Sequence, residues 1–332
     1  MTIKDGVMTI KVLSLFDGIS CGRVALERVK KQLCKRFGVA DIKIEYYASE
    51  IKSIAIKCSE ANWSDNFHLG DVTKIHYHDG VLYSENGNYE TDIDLLIGGS
   101  PCQDFSNANK NVTGLAGDKS GLFYQYYRLL QDIHPKYHLL ENVRMKPKHE
   151  REVNELMGEK PLRLNSSLFS GQNRHRLYWT NIDVDLRQLP KESVSLQDVL
   201  DCGYTNRDKS TCLLVSDSRP LRTPYKMFRR YHVHRFTNLV FKSQEHYEQC
   251  CEHFNRYFKG LSAREVDAKI VAENIDVSVY DGVRYLTKHE SEKLQTLPVG
   301  YCDVLSLKHT RDVCGDGWTV DVIAFLLSFM IF

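Results

Sequence analysis

Residues 10–22 have the sequence IKVLSLFDGISCG. The apolar, β-rich run 10–16 predicts a buried strand, and the glycine-containing turn 17–22 follows it. Beyond the turn, apolar residues recur with helical spacing and predict a helix over 23–37. A strand, a glycine turn and a helix in this order are the first elements of a parallel α/β sheet.

Strand and helix patterns continue to alternate along the first part of the chain. Further strands are predicted at 42–49, 92–98 and 137–140, and further helices at 53–62 and 122–133. This alternation predicts a Rossmann-like, doubly wound and mostly parallel sheet that is covered on both faces.

The pattern changes in the second half of the chain. Over 184–275 the periodicity is irregular and Arg, Tyr, Phe and His are dense, which favours a smaller, irregular and β-rich domain. Helical spacing resumes over 288–294 and again from Trp318 onward. We therefore expect an α/β domain over 1–183, a second domain over 184–275, and a return to the first domain over 276–332.

Composition narrows the class of protein. The 332 residues carry a formal net charge of +1, so any nucleic-acid surface must be local. The ten cysteines include no C-x-x-C pair, and no signal-peptide pattern is present, so we expect reduced thiols and a cytoplasmic protein. The apolar run 322–332 is far shorter than the ~20 residues that span a bilayer and predicts a buried last helix.

A group of histidines and cysteines raises the question of a metal. His246, Cys250, Cys251 and His253 are close together in sequence. Adjacent cysteines form a poor tetrahedral chelate, so no metal site is expected.

A basic segment lies within the second domain. Residues 219–242 contain no acidic residue, and aromatic residues alternate with the basic residues Arg222, Lys226, Arg229, Arg230 and Arg235. Basic residues supply phosphate contacts and aromatic rings stack on bases, which favours a nucleic-acid surface. A solvated basic face of a small domain would have the same composition, and the segment alone does not decide between the two.

The run GGSPCQ, residues 98–103, follows the predicted strand at 92–98. Open α/β sheets place their chemistry at such strand ends, and Pro101 restricts the backbone beside the thiol of Cys102. A lone cysteine is more often a buried structural residue. Its position between a strand end and a polar loop favours Cys102 as a nucleophile.

Acidic residues at two further strand ends indicate a cofactor. Glu50 ends the second strand, where a carboxylate is able to accept hydrogen bonds from ribose hydroxyls, and Asp71 follows a glycine further on. The turn 17–22 lacks the G-x-G-x-x-G dinucleotide fingerprint. Each acid alone would more often be a surface charge, but their successive placement favours a nucleoside-bearing cofactor.

A third group of polar residues follows the strand predicted at 137–140. Glu141 stands at its end, where a buried glutamate requires a partner or a function. Alternation along an extended segment directs Gln172, Arg174 and Arg176 to one side. These residues could bind a polar ring or orient Glu141, although an exposed edge strand shows the same pattern.

Taken in order, these motifs resemble the cytosine-C5 methyltransferase family over nearly the whole chain. The matching positions are 16–22, Glu50, Asp71, 101–103, 141–143, 172–176, 284–287 with Glu290, Leu294, Gln295 and Pro298, and 315–320. The resemblance implies that 184–275 is a target recognition domain. It also implies a DNA (cytosine-5-)-methyltransferase that acts on a flipped-out cytosine in a short duplex sequence.

The resemblance assigns a role to each candidate residue. Cys102 would add to C6 of cytosine, Glu141 would bind N3 and the exocyclic amine, and Gln172, Arg174 and Arg176 would complete the catalytic group. Ser106 would contact DNA from a loop at 104–121 that closes over the base. S-adenosylmethionine, released as S-adenosylhomocysteine, would be held by Phe16, Asp17, Gly18, Gly22, Glu50, Ile51, Asp71, Val72, Pro101, Leu122, Trp318 and Thr319.

Three motifs depart from the common bacterial pattern. The first glycine motif has three residues between Gly18 and Gly22, and 297–299 is LPV where GFP is usual. The last motif is GDGW at 315–318 rather than glycine, asparagine and a small residue. These variants resemble phage enzymes and the catalytic domains of animal de novo DNA methyltransferases.

Other functions remain open at this stage. The same chemistry on transfer RNA is the nearest alternative, although the length of 184–275 favours DNA. A non-catalytic regulator would not need Cys102, Glu141 and Arg174, and an NAD-linked oxidoreductase lacks its glycine fingerprint. We expect a compact, monomeric prokaryotic or phage enzyme whose partners are duplex DNA and, functionally, a cognate restriction nuclease.

Overall fold

The computed structural model describes residues 1–101, 120–213, 221, 223–235 and 237–331. Three candidate residues of the sequence analysis, Cys102, Ser106 and Arg222, lie outside this described part.

Strands and helices are numbered in chain order. The strands are β1 (Thr2–Lys4), β2 (Val7–Leu15), β3 (Asp41–Ser49), β4 (Phe67–His68), β5 (His76–His78), β6 (Val81–Ser84), β7 (Gly87–Glu90), β8 (Leu95–Gly98), β9 (Tyr137–Val143), β10 (Leu162–Asn165), β11 (His175–Thr180), β12 (Leu239–Val240) and β13 (Arg284–Tyr285). The helices are α1 (Cys21–Phe37), α2 (Ser53–Asn62), α3 (Phe123–Ile133), α4 (Pro147–Met157), α5 (Leu196–Val199), α6 (Pro224–His234), α7 (Gln244–Tyr257), α8 (Ala263–Ala272), α9 (Lys288–Leu294), α10 (Leu307–Asp316) and α11 (Val320–Leu327).

The main sheet has the strand order β10-β11-β9-β8-β2-β3-β4, and β1 pairs with β2. The pairs among β4, β3, β2, β8 and β9 are parallel, whereas β10 and β11 are antiparallel additions beyond β9. β2 pairs with β3 on one side and with β8 on the other, so the strand order reverses at β2. The mostly parallel, doubly wound sheet predicted from the sequence is confirmed.

Two hydrophobic cores cover the two faces of this sheet. Val12 and Ile97 point into the core formed with α1, α2 and α11, whereas Leu13 and Leu96 point into the core formed with α3 and α4. Successive residues of a strand face opposite sides, so a parallel strand covered on both faces is apolar throughout. This explains why the mainly apolar run at 10–16, which Lys11 and Ser14 interrupt, was still a reliable strand signal.

A third hydrophobic core belongs to the smaller domain and is mainly helical. The prediction of a β-rich domain over 184–275 is wrong, because its described residues form α5, α6, α7 and α8, and their strand pairing is limited to β12 with β13 and to isolated bridges. Ser262 and Glu265 form a capping box that starts α8, and Ser243 accepts a hydrogen bond at the start of α7. These caps were present in the sequence as helix-start signals, but the density of aromatic residues obscured the helical spacing. The core also includes Tyr280 and Val283, which lie beyond 275.

The predicted last helix is present as α11, and its apolar residues are buried in the main core. In the described ranges, no helix is long and apolar enough to cross a membrane. His246 bonds to the carbonyl oxygen of Val279 at 2.9 Å, and His253 bonds to the hydroxyl of Tyr280 at 3.1 Å. No metal-binding cluster of His, Cys, Asp or Glu occurs among the residues that the structure describes.

Candidate active site

A cavity of about 410 Å³ opens at the carboxyl ends of β2, β3, β8 and β9. The order of the strands reverses at β2, and a crevice forms in open α/β sheets where this happens. The volume lies in the range of about 300–1,000 Å³ that is typical of small-molecule sites. The end of α10 and the following residues 317–318 close the cavity from a distant part of the chain.

The turn between β2 and α1 forms one wall of the cavity. Phe16 and Gly18 have φ angles of 57° and 61°, a left-handed conformation that glycine adopts freely and phenylalanine rarely does. The backbone N–H of Asp17 donates to the carbonyl oxygen of Ser49 at 3.0 Å, which ties the turn to the end of β3. The sheet therefore holds Phe16 in a strained conformation at the edge of the cavity.

The Asp17 carboxylate accepts three hydrogen bonds from hydroxyl groups. Oδ1 accepts from Ser14 at 2.6 Å and from Tyr46 at 2.7 Å, and Oδ2 accepts from Ser20 at 2.5 Å. Burial raises the pKa of Asp17, and the hydrogen bonds from Ser14, Ser20 and Tyr46 oppose that shift. With three donors on one carboxylate, Asp17 mainly fixes the shape of the turn.

Glu50 connects the same turn to the end of β3. Its Oε2 accepts from the backbone N–H of Gly18, and its Oε1 accepts from those of Ile51 and Lys52, each at 2.8 Å. A carboxylate offers about four acceptor positions, so about one is left for a ligand hydroxyl. Ile51 is 71% exposed although it lines the cavity, which leaves an apolar side chain available to a ligand.

Asp71 and Val72 form a further part of the lining. The Asp71 carboxylate accepts from the backbone N–H of Thr73 at 2.9 Å and caps a short 3-10 turn. Val72 is buried, and Pro101 and Leu122 also line the cavity. The cavity thus combines apolar side chains with the carboxylates of Asp17, Glu50 and Asp71.

Gly99 allows two functional side chains to approach the backbone after β8. A Cβ atom at this position would lie 2.9 Å from both Glu141 Oε2 and Trp318 Nε1, which is closer than Cβ atoms approach other heavy atoms in proteins. The neighbouring Ser100 is buried, and its hydroxyl accepts from Asn142 at 3.1 Å. The glycine before the Pro101-Cys102 motif is therefore required by the position of Glu141.

Glu141 lies within β9 and is the centre of a charged hydrogen-bonded group. Its Oε1 forms an ion pair of 2.8 Å with Nε of Arg176 on the neighbouring strand β11, and its Oε2 accepts from Nε1 of Trp318 at 3.1 Å. Glu141 is only 8% exposed, so the ion pair with Arg176 compensates for the burial of its charge.

Arg174 joins the end of α10 to this group. Its Nη1 donates to the carbonyl oxygen of Gly315 at 3.1 Å, and its Nη2 donates to that of Gly317 at 2.8 Å. Burial lowers the pKa of Arg174, and the charge of Arg176 adds to that effect. A cation is favourable at the carboxyl end of a helix, so Arg174 stabilises the segment that carries Trp318.

Three of the predicted site residues do not line the cavity. A Cβ atom on Gly22 would lie 2.4 Å from Ile97 Cδ1, so this glycine permits close packing of α1 on the sheet. Thr319 bonds to Gln295 at 3.0 Å in the interior. Gln172 is fully buried, and its side-chain amide has no hydrogen-bond partner in the described part of the chain.

The predicted DNA-binding residues of α6 are partly engaged within their own domain. Lys226 forms an ion pair of 2.9 Å with Asp267, and Nη2 of Arg229 donates to the carbonyl oxygen of Leu261 at 3.3 Å. Arg230 is half-buried, whereas Arg235 is exposed just after the helix. The role of this segment stays a prediction.

Sequence analysis missed several residues that build the site. The hydroxyl of Tyr46 on β3 donates a hydrogen bond to Asp17. Lys52 forms an ion pair of 2.7 Å with Asp316, and Lys52 and Asp316 both line the cavity. Tyr46 could have been noticed, because it interrupts an otherwise aliphatic face of a strand next to the glycine turn. No sequence signal links Lys52 to Asp316, since 264 positions separate them.

Comparison with known proteins identifies a family that the chain matches. The model of the family described as C-5 cytosine-specific DNA methylase matches residues 10–331. The type II methyltransferase M1.ScrFI of Lactococcus lactis subsp. cremoris is 29% identical over 223 residues, which are 60% of this chain and 51% of that protein. The orphan methyltransferase M.SPRI of Bacillus phage SPR is 32% identical over 209 residues, 58% of this chain and 43% of that protein. The chain thus spans about half the length of these relatives or less.

Solved structures share the fold over nearly all of the chain. The Entamoeba histolytica methyltransferase EhMeth has a TM-score of 0.62 at 13% identity, with 97% of each chain covered. A DNMT2 variant of Spodoptera frugiperda has a TM-score of 0.60 at 18% identity, with 96% of this chain and 99% of that chain covered. At these identities the likeness concerns the fold alone.

Proposed function

The chain belongs to the C-5 cytosine-specific DNA methylase family, and from that membership we propose that it methylates C5 of cytosine in duplex DNA. The methyl donor would be S-adenosylmethionine, and the target would be a short sequence. The observation that carries this proposal is the Glu141–Arg176 ion pair of 2.8 Å, which lies in the same cavity as the turn at Asp17, Gly18 and the carboxylate of Glu50.

The lining of the cavity fits S-adenosylmethionine. Three carboxylates, those of Asp17, Glu50 and Asp71, suit a cationic sulfonium ligand, and the apolar side chains of Val72 and Leu122 suit its purine ring. When bound, this cofactor supplies an electrophilic methyl group. We assign cofactor binding to the turn at 16–18, to Glu50 and Ile51, to Asp71 and Val72, and to Pro101, Leu122 and Trp318.

Cytosine C5 is a weak nucleophile, so the ring requires activation before it accepts a methyl group. Cys102, which lies outside the described residues, follows Pro101 of the cavity and would form a covalent bond to C6 as a thiolate. Glu141 would bind N3 and the exocyclic amine and act as a general acid at N3, which offsets the negative charge that builds on the ring as the thiolate adds. Loss of the C5 proton and cleavage of the S–C6 bond would then restore both the aromatic ring and Cys102.

Arg176 and Arg174 would act on the same ring in different ways. Arg176 is ion-paired with Glu141, so it orients that carboxylate and lies close enough to the cavity to bind the ring oxygen. Arg174 holds the segment that carries Trp318, which makes it mainly a positioning residue.

The reacting atoms of cytosine are inside a duplex, so the base must leave the helix at a cost of about a few kcal/mol. We propose that residues 184–275 recognise the target and that the 104–121 segment, with Ser106, closes over the base. The protein would act as a monomer in the cytoplasm of a bacterial or phage-infected cell. It would either accompany a restriction nuclease or protect phage DNA.

Transfer of a radiolabelled methyl group tests this function. Mixed-sequence duplex DNA and total transfer RNA are offered in parallel, and a Cys102→Ala variant serves as the control. The proposal predicts label in DNA, recovered as 5-methylcytosine, that depends on Cys102. Label in RNA alone would mean that the proposed chemistry acts on RNA instead of DNA. The absence of label from both nucleic acids would favour a non-catalytic regulator.

A further inference from the structure

A cluster of exposed cations lies directly beyond the strand that carries Glu141. Arg144, Lys146, Lys148 and Arg151 occur within eight positions, and all four side chains are exposed. No acidic side chain of the described ranges forms an ion pair with any of them. These four residues, here named the basic rim, were not among the candidates of the sequence analysis.

The basic rim borders the cavity. Val143, the last residue of β9, lines the cavity and pairs with Arg176 across the sheet. Arg144 follows Val143 directly, so the rim begins next to a residue that lines the cavity. A nucleic acid whose target base enters the cavity would bring the neighbouring phosphates to this edge of the sheet.

The placement of cations at the amino end of α4 indicates that the basic rim binds an anionic partner. Lys146 is the N-cap of this helix and Lys148 lies in its first turn, at the positive end of the helix dipole. Cations are unfavourable at that end, and Glu150, the acidic residue of the first turn, is paired with Arg163 rather than with the rim. Lys148 and Arg151 are three residues apart and share an exposed face, whereas Val153 faces the core.

The neighbouring Arg163 shows the opposite arrangement. Its guanidinium forms an ion pair with Glu150, so its charge is compensated within the protein. Lys226 of α6 is likewise paired with Asp267. With a net charge of only +1, the chain needs a local cationic surface to bind a polyanion, and the rim supplies four uncompensated charges beside the site.

We propose that the basic rim binds the backbone phosphates of the DNA that flank the target cytosine. This inference rests on the proposed function. Contacts to phosphates position a nucleic acid without reading its sequence, so the rim would set how the duplex lies over the cavity while another part of the protein selects the target.

The salt dependence of DNA binding tests the rim. The double variant Lys148→Gln/Arg151→Gln is compared with wild type by fluorescence anisotropy on a labelled mixed-sequence duplex over a series of salt concentrations. The slope of log K against log salt is negative, and each lost phosphate contact reduces its magnitude by about 0.9. We therefore expect the magnitude of the slope to decrease by about 2 in the double variant. Binding of S-adenosylmethionine, measured by calorimetry, should be unchanged because neither residue lines the cavity.

A matched control is available at the opposite edge of the sheet. Lys31→Gln/Lys35→Gln removes two exposed charges from the carboxyl half of α1, which leads to the amino end of β3. This control should retain the wild-type slope. If the rim substitutions leave the slope unchanged while the wild-type protein methylates DNA, only the proposal for the basic rim is overturned. A wild-type protein that transfers no label to DNA overturns the proposed function.

Discussion

At the scale of single residues, the site depends on side chains that occupy both oxygens of Glu141. Oε1 is paired with Arg176, and Oε2 accepts from the indole of Trp318. The indole therefore connects the segment after α10 to the carboxylate that would bind the base. This hydrogen bond gives Trp318 a direct role in holding Glu141.

Replacing Trp318 by Phe keeps an aromatic ring and removes only the N–H group that holds Glu141. Hydrogen bonds to charged groups contribute about 1.5–3 kcal/mol, so kcat/KM for DNA should fall by about 10- to 150-fold. The Kd for S-adenosylmethionine should change much less. Trp63→Phe is the matched control, because it removes an indole bond to Tyr301 away from the cavity. Equal effects of the two substitutions would show that Trp318 has only a structural role.

The buried carboxylate of Asp17 predicts a pH dependence of stability. Burial raises the pKa of Asp17 in the folded protein, so protonation favours the folded state. Its stabilising contribution is complete below the unfolded pKa of about 3.9 and is lost as pH rises through the raised folded pKa. Each unit of difference corresponds to about 1.4 kcal/mol.

The measurement for Asp17 compares wild type with Asp17→Asn in urea unfolding at several pH values above 4. The free energy of unfolding of wild type should decrease relative to that of the variant as pH rises toward neutrality. A difference that stays constant over this range would mean that Asp17 has the same pKa in both states.

At the scale of elements, the site is made where strand ends meet, and much of this arrangement was predictable. Helices α2 and α9 have the bounds predicted at 53–62 and 288–294, since apolar spacing and polar flanks agree there. The small domain was mispredicted because its helices are rich in aromatic residues, and their stability comes from a shared core of rings such as Phe228 and Phe254. Packing of this kind is set by distant residues that no local pattern contains.

The junction after β8 gives a prediction at this scale. In Gly99→Ala the new Cβ would lie 2.9 Å from atoms of both Glu141 and Trp318, so both side chains must move. A displacement of about 1 Å in a catalytic group costs about 100-fold in rate, and kcat should fall by that order.

Gly38→Ala, at the carboxyl end of α1, is the control for this junction, because its Cβ would meet no described atom within 4 Å and Gly38 does not line the cavity. It should retain the wild-type kcat. Full activity of Gly99→Ala would show that the contact between Glu141 and Trp318 is not needed for turnover.

At the scale of the whole molecule, the cavity joins two parts of the chain that the small domain separates. Glu141 and Trp318 are 177 positions apart, and Arg174 fastens the second part to the first through Gly315 and Gly317. The sequence predicted which residue types take part, through the order of their motifs. It did not predict these bonds, because they depend on how α10 and α11 return to the sheet.

The most direct test of covalent activation of cytosine uses duplex DNA that contains 5-fluorocytosine. Fluorine at C5 cannot leave as a proton does, so the bond between Cys102 and C6 should persist after methyl transfer and be visible by denaturing electrophoresis and mass spectrometry. We predict a protein–DNA adduct that requires S-adenosylmethionine and is absent from Cys102→Ala. Methylation of ordinary DNA without any such adduct, or an adduct that persists in Cys102→Ala, would contradict the account.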